Sequence, residues 1–153
     1  MSGWFNKVSD DITQIGDCIT FYEKELAEAK WETHISGSLE KLSASLPGIT
    51  EHRFNQLQEI EAILEHLNIQ LRKERSKTFR KYLEAYNRQL SSRDAEKYVD
   101  GDSEVIFMTE ICNQFSLLRN KYLGIMKGLE VKQWQIGHIT KLRTAGMEDI
   151  VIN

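Results

Sequence analysis

A single proline, Pro47, interrupts 153 residues. Strand-and-turn architectures place Pro and Gly at their corners, so this scarcity leaves the chain free to form long helices. The apolar spacing uses that freedom. Phe5, Val8, Ile12, Ile15, Ile19, Tyr22, Leu26 and Ala29 alternate steps of three and four, the repeat of a coiled-coil seam. Leu39, Leu42 and Leu46 extend it weakly beyond Ser36-Gly37-Ser38, and Pro47-Gly48 reads as the clearest break.

A second helix is expected from near Thr50, with Leu57, Ile60, Leu64, Leu67 and Leu71 on one side, continuing through Phe79, Tyr82, Leu83 and Tyr86 to about Leu90. The polar stretch from Ser91 to Asp102 reads as a connection with at most one helical turn. A third helix is expected from Ser103 through Ile111, Phe115, Leu118, Tyr122, Ile125 and Leu129, kinked or split at Gly128 and Gly137, with the tail fraying from Ala145-Gly146. The chain therefore divides into an N-terminal coiled-coil segment (1–46), a long basic helix and connection (50–102), and C-terminal helices with a tail (103–153). The fold class is all-α, with long helices and coiled-coil-like seams. Seams this long are hard to bury within one small chain, which favours self-association into a homo-oligomer.

No apolar run approaches the roughly 20 residues that cross a bilayer, so no membrane partner is expected. The N-terminus has no basic stretch leading into an apolar one, and Cys18 and Cys112 stand in no disulfide or metal motif; both point to a soluble protein of a reducing compartment. The net charge of -3 hides strong segregation. Residues 1–70 carry 5 basic and 12 acidic side chains, whereas 71–93 carry 8 basic and 2 acidic. Residues 94–118 are acidic again, and 119–143 form a second, more dispersed basic band (Arg119, Lys121, Lys127, Lys132, Lys141, Arg143). A band of this kind can bind a polyanion locally, because exposed charges act over about 8–10 Å.

With Lys73 at zero on a helical wheel, Lys77 falls near 40°, Arg80 near -20°, Lys81 near 80° and Arg88 near 60°, at about 100° per residue. Leu71, Phe79, Tyr82, Tyr86 and Leu90 occupy the opposite side. Two readings stand. Lys and Arg are good helix formers, so the stripe is commonly just a solvated face. Alternatively Lys73, Lys77, Arg80, Lys81 and Arg88 track the phosphates of a nucleic acid. The aromatic residues at 79, 82 and 86 fit core packing better than base stacking, because they lie away from the stripe.

No catalytic or cofactor motif is present. Asp100-Gly101-Asp102-Ser103-Glu104 lacks the later ligands of a calcium loop and suits an acidic helix cap. The four histidines form no ligand pair, neither cysteine has a nucleophile motif, and both phosphate-binding glycine signatures are missing. Neither an enzyme nor a cofactor is expected.

Several blocks are more specific: His52-Arg53-Phe54-Asn55-Gln56-Leu57-Gln58-Glu59-Ile60, Phe79-Arg80-Lys81-Tyr82-Leu83-Glu84-Ala85-Tyr86-Asn87, Ser91 to Tyr98, Arg119-Asn120-Lys121-Tyr122-Leu123-Gly124-Ile125-Met126, and the ending from Trp134 to Asp149. Over roughly residues 50–149 the chain resembles the UvsY recombination mediators of T-even-type tailed phages, cyanophage versions especially. The resemblance implies a non-enzymatic protein of the infected bacterial cytoplasm, assembled as a hexameric or heptameric ring. It would bind single-stranded DNA, weaken the hold of the single-strand-binding protein and load a RecA-like recombinase. Arg80 falls on the lysine of the family's DNA motif, Tyr82 replaces its arginine, and Lys81 or Lys77 is left as partner to Arg80. Ring assembly would fall to roughly residues 104–143. The rival function is a scaffolding coiled-coil protein whose basic band binds an acidic protein surface.

Overall fold

The computed structural model describes residues 3–85 and 89–146. Among these the chain is helical without strands: α1 (Trp4–Asp10), a 3₁₀ turn (Ile12–Gln14), α2 (Ile15–Glu32), α3 (Leu39–Glu84), α4 (Ser92–Asp100) and α5 (Ser103–Thr144). The all-α expectation holds, but several boundaries move.

The first seam does not form one rod. Asp11 takes an extended backbone, φ -147° and ψ 104°, and its carboxylate accepts from the Thr13 amide and hydroxyl at 3.0 and 2.7 Å. That local bonding ends α1 and starts the next turn. Ile12 is left exposed, and Cys18 joins Ile15, Tyr22, Leu26 and Ala29 in the buried face.

Pro47-Gly48 is not a break: α3 runs through both and spans 46 residues, about 69 Å at 1.5 Å per residue. The chain turns instead between Glu32 and Leu39, where Gly37 adopts φ +80° and the Ser38 hydroxyl caps Lys41. Packing overrides the proline. Leu39, Leu42, Leu46 and Ile49 all lie against the main core, in phase with Leu57 and Ile60 further along the same helix. The proline still lacks an amide to give the Ser43 carbonyl. Pro47→Ala should therefore stabilise the protein by about 2 kcal/mol, the helix-interior cost less the entropy proline removes from the unfolded chain. Denaturant titration of the two proteins measures it.

The connection after α3 also differs from expectation, because residues 92–100 form a true helix. The Ser91 hydroxyl accepts from the Asp94 amide at 3.2 Å, and Ala95 and Val99, four apart, bury one side against α3 and α5. Asp102 caps α5 as expected, accepting from the Glu104 and Val105 amides. α5 then passes Gly128 and Gly137 as a single 42-residue helix. At Gly128 the missing side chain is used: a Cβ there would meet Thr33 Cγ2 at 3.0 Å, so glycine lets the end of α2 close on α5. Gly146, φ +79°, follows the helix end.

α3 and α5 are the antiparallel frame, as the contacts of Gln56 with Tyr122 and of Tyr82 with Asp102 require. α1 and α2 pack on one end of that frame. There Val8, Tyr22, Ile60, Ile63, Leu67, Phe115, Tyr122 and Leu129 are essentially solvent-free. Each such side chain contributes about 1.5–3 kcal/mol through burial. α4 covers the other, distal end with a smaller buried group of Ala95, Val99, Val105 and Thr78. The seam from Leu57 to Leu67 is thus consumed within the chain and does not itself require a second copy. Surface area is nonetheless large: 10366 Å² for 17.8 kDa, against about 8000 Å² for a compact protein of that mass.

Candidate nucleic-acid interface

The cationic stripe lies on the distal third of α3, beyond the reach of α1 and α2. Lys73, Lys77, Arg80 and Lys81 are all exposed, and Arg88 lies outside the described residues, as does Tyr86. Two neighbouring cations are already engaged: Arg72 pairs with Glu65 at 3.2 Å and Arg75 with Asp100 at 2.8 Å. Lys73, Lys77 and Arg80 form no ion pair among the described residues. Three like charges on about two turns of one helix repel one another, and a phosphate chain relieves that repulsion. Lys81 differs in two respects: its Nζ lies 5.4 Å from the centre of the Tyr82 ring, and it falls in the last turn of α3, where a cation complements the carbonyl end.

Phe79 and Tyr82 are half-buried, as their place on the wheel suggests. Tyr82 stacks on Tyr98 of α4, with ring centres 5.3 Å apart and planes 26° from parallel, and its hydroxyl donates to Asp102 at 3.2 Å. Tyr98 was not among the residues singled out by sequence. The signal for it was present as a Ser-x-x-Asp cap followed by Ala95, Tyr98 and Val99 at helical spacing.

The second basic band does not survive as a unit. Lys132 is buried, 4 % exposed, and its Nζ donates to the Glu32 carbonyl at 2.6 Å, closing the C-terminal end of α2. Burial holds its pKa below the ordinary lysine value, against the pull of the Glu32 charge. Lys127 pairs with Glu130 at 3.1 Å. Lys121, Lys141 and Arg143 remain exposed, and the Arg119 guanidinium donates to Asn120.

Where α2 meets the frame, the structure holds a buried polar network that sequence reading missed. Arg53, 2 % exposed, donates to both oxygens of Glu32 at 2.8 and 2.6 Å, to Glu25 at 2.8 Å and to Gln56 at 2.9 Å. Gln56 donates to Glu25 at 2.8 Å, and the Tyr122 hydroxyl points at Gln56 and the Tyr22 carbonyl. Burial pushes the Glu25 carboxyl up. Hydrogen bonds from Gln56 and Arg53, with the charges of Arg53 and His52, outweigh it and leave the pKa below the ordinary value. Burial raises the Tyr122 hydroxyl, so it stays protonated.

These groups are satisfied by one another and serve the fold. Burial, with the Glu59 charge, pushes the Cys18 thiol up to about 12, and burial also raises Cys112, so neither is poised as a nucleophile. Among the described residues no three His, Cys, Asp or Glu side chains converge on a metal-sized site, and no helix is long and apolar enough to cross a membrane.

Much apolar surface remains. On the side of α5 turned from the core, Leu117 and Val131 are about half exposed and flank Gly124 at seven-residue steps, with Leu123 and Trp134 (66 % exposed) beside them. Phe54 of α3, with Leu46, Pro47 and Met126, edges a groove of about 580 Å³ nearby. Comparison of the chain with protein-family models, with curated proteins and with solved structures finds no match in any of the three.

Proposed function

We propose that the protein is a homo-oligomeric recombination mediator. In this reading it binds single-stranded DNA on the distal part of α3 and helps load a RecA-like recombinase where a single-strand-binding protein is already bound. The observation that carries the reading is the row Lys73, Lys77 and Arg80, exposed and without ion pairs among the described residues, on a helix that projects past the main core. Resemblance of residues 50–149 to the UvsY mediators supplies the biological setting. The apolar residues on the outer side of α5 support self-association, ring-like in the family, since exposed patches of this kind mark interaction surfaces. Repetition in an oligomer multiplies weak contacts, so each subunit needs only a few phosphates.

Fluorescence anisotropy with single- and double-stranded oligonucleotides across a salt series tests this. Single strands should bind preferentially, and log K should fall with log salt by about 3 if four cations per subunit each meet a phosphate. Absence of binding even at low salt would instead favour a scaffold whose basic row meets an acidic protein.

A further inference from the structure

Two exposed helix stripes at the distal end have the same layout and opposite charge. On α3, Ile69, Lys73, Ser76, Arg80 and Leu83 step by four, three, four and three, and all five are exposed. On α5, Ser103, Phe107, Glu110, Gln114 and Leu117 repeat that spacing, and all five are exposed as well. This alternation is the stripe that one helix presents to another along a coiled-coil contact. Each stripe spans 14 residues, about 21 Å at 1.5 Å per residue. Phe107 and Leu117 are 61 % and 56 % exposed, so the α5 stripe holds large apolar groups in water on either side of Glu110.

The two stripes cannot meet within one chain. Each lies opposite the buried side of its helix, marked by Thr78 on α3 and by Val105 and Cys112 on α5. Since α3 and α5 pack through those buried sides, their stripes face away from each other. Charge then selects the pairing between copies. Lys73, Lys77 and Arg80 have no ion pair among the described residues, and neither have Glu104 and Glu110. Two α3 stripes together would set cations on cations, and two α5 stripes would bring carboxylates together. An α3 stripe laid on an α5 stripe, centre on centre, does neither. In both directions Glu110 then falls opposite Ser76, between Lys73 and Arg80, and Leu117 meets Leu83 or Ile69.

We propose that the α5 stripe docks the α3 stripe of a second copy and covers its cationic row until a DNA strand takes its place. The contact is head to tail, because every copy offers one stripe of each kind. The masking rests on the DNA-binding reading above, whereas the contact between copies stands on the two stripes alone. It lies at the distal end, apart from Val131 and Trp134 further along α5. Exposed ion pairs contribute little each, so a polyanion carrying many phosphates can replace them.

Carbodiimide treatment of the full-length wild type tests this, because the reagent joins a lysine amine to a carboxylate only where the two touch. A covalent dimer should appear on a denaturing gel, and its peptide map should contain an amide between Glu110 of one copy and Lys73 or Lys77 of another. Glu110→Gln should remove that amide. Phe107→Ala keeps both reacting groups and should still reduce the amide several-fold, since it removes apolar contact. Both side chains are exposed, so circular dichroism should show unchanged helix in the two variants. Saturating fluorescein-labelled oligothymidylate, its binding followed by anisotropy, should suppress the amide in the wild type. Absence of the amide, or an amide from Glu110 to other lysines only, overturns the contact. An amide that persists undiminished while the oligothymidylate is bound overturns the masking. If the oligothymidylate does not bind, the DNA reading fails and the masking with it, while the Glu110 amide still decides the contact.

Discussion

Arg53→Ala should lower the free energy of unfolding by about 3–5 kcal/mol, the range seen when one partner of a buried ion pair is removed. Arg53 is the only cation inside the contact of α2 with α3, among the described residues. Without it, the Glu32 carboxylate loses the two hydrogen bonds that Arg53 gives it, and Glu25 keeps the Gln56 amide and the His52 ring 3.8 Å away. Both carboxylates are part exposed, so water softens the penalty and the lower end of the range is expected. A triple variant, Arg53→Met with Glu25→Leu and Glu32→Leu, should recover most of the loss, because it removes the charges together and fills the space with apolar groups.

The pH dependence has a defined sign. Glu25 has a folded-state pKa below its ordinary 4.5, so its contribution is fully present above that value and is lost as pH falls through the depressed pKa. The gap between wild type and Arg53→Ala should therefore narrow in acid below about pH 4.5 and stay level from there to neutrality. Chemical denaturation at a series of pH values measures both effects. A gap below 1 kcal/mol at neutral pH would mean that apolar packing of Tyr22, Leu26 and Ala29 holds α2 without the network.

The helical character was legible because periodicity survives everything local. Boundaries were less so, and each error has its own cause. Pro47 carries a strong local signal, yet Leu42, Leu46, Ile49 and Arg53 keep phase across it, and burial of that stripe outweighs one missing hydrogen bond. Ile12 fits the seam by spacing, but Asp11 captures Thr13 and turns the chain, which spacing alone does not register. α4 was hidden by its polar composition, since its few apolar residues are all on one side of nine residues.

The cationic row was readable because charge segregation needs no tertiary information. The roles of individual charges were not. Arg53 and Lys132 look like surface residues in the sequence, and only the approach of Glu32 to both turns them inward. The contact of Tyr98 with Tyr82 was hidden for the same reason: α4 folds back on α3 and sets one tyrosine on another.

Lys77→Ala combined with Arg80→Ala should weaken single-strand binding strongly while leaving the fold unchanged. These two residues are the better pair to remove, because Lys81 also contributes to Tyr82 and to the end of α3, so its loss mixes binding with stability. Lys77 and Arg80 are exposed and make no ion pair among the described residues, and alanine is the best helix former, so helicity should be retained. Each lost phosphate contact should flatten the slope of log K against log salt by about 0.7, or about 1.4 for the pair. The loss should be similar for every base composition, since phosphates carry no sequence. In an oligomer the same loss recurs in each subunit, so the measured affinity should fall by far more than two contacts suggest. If affinity and slope are both unchanged, the distal part of α3 is only a solvated face. Attention then passes to Lys121, Lys141 and Arg143 of α5, with Lys132 excluded because its charge is spent inside the fold.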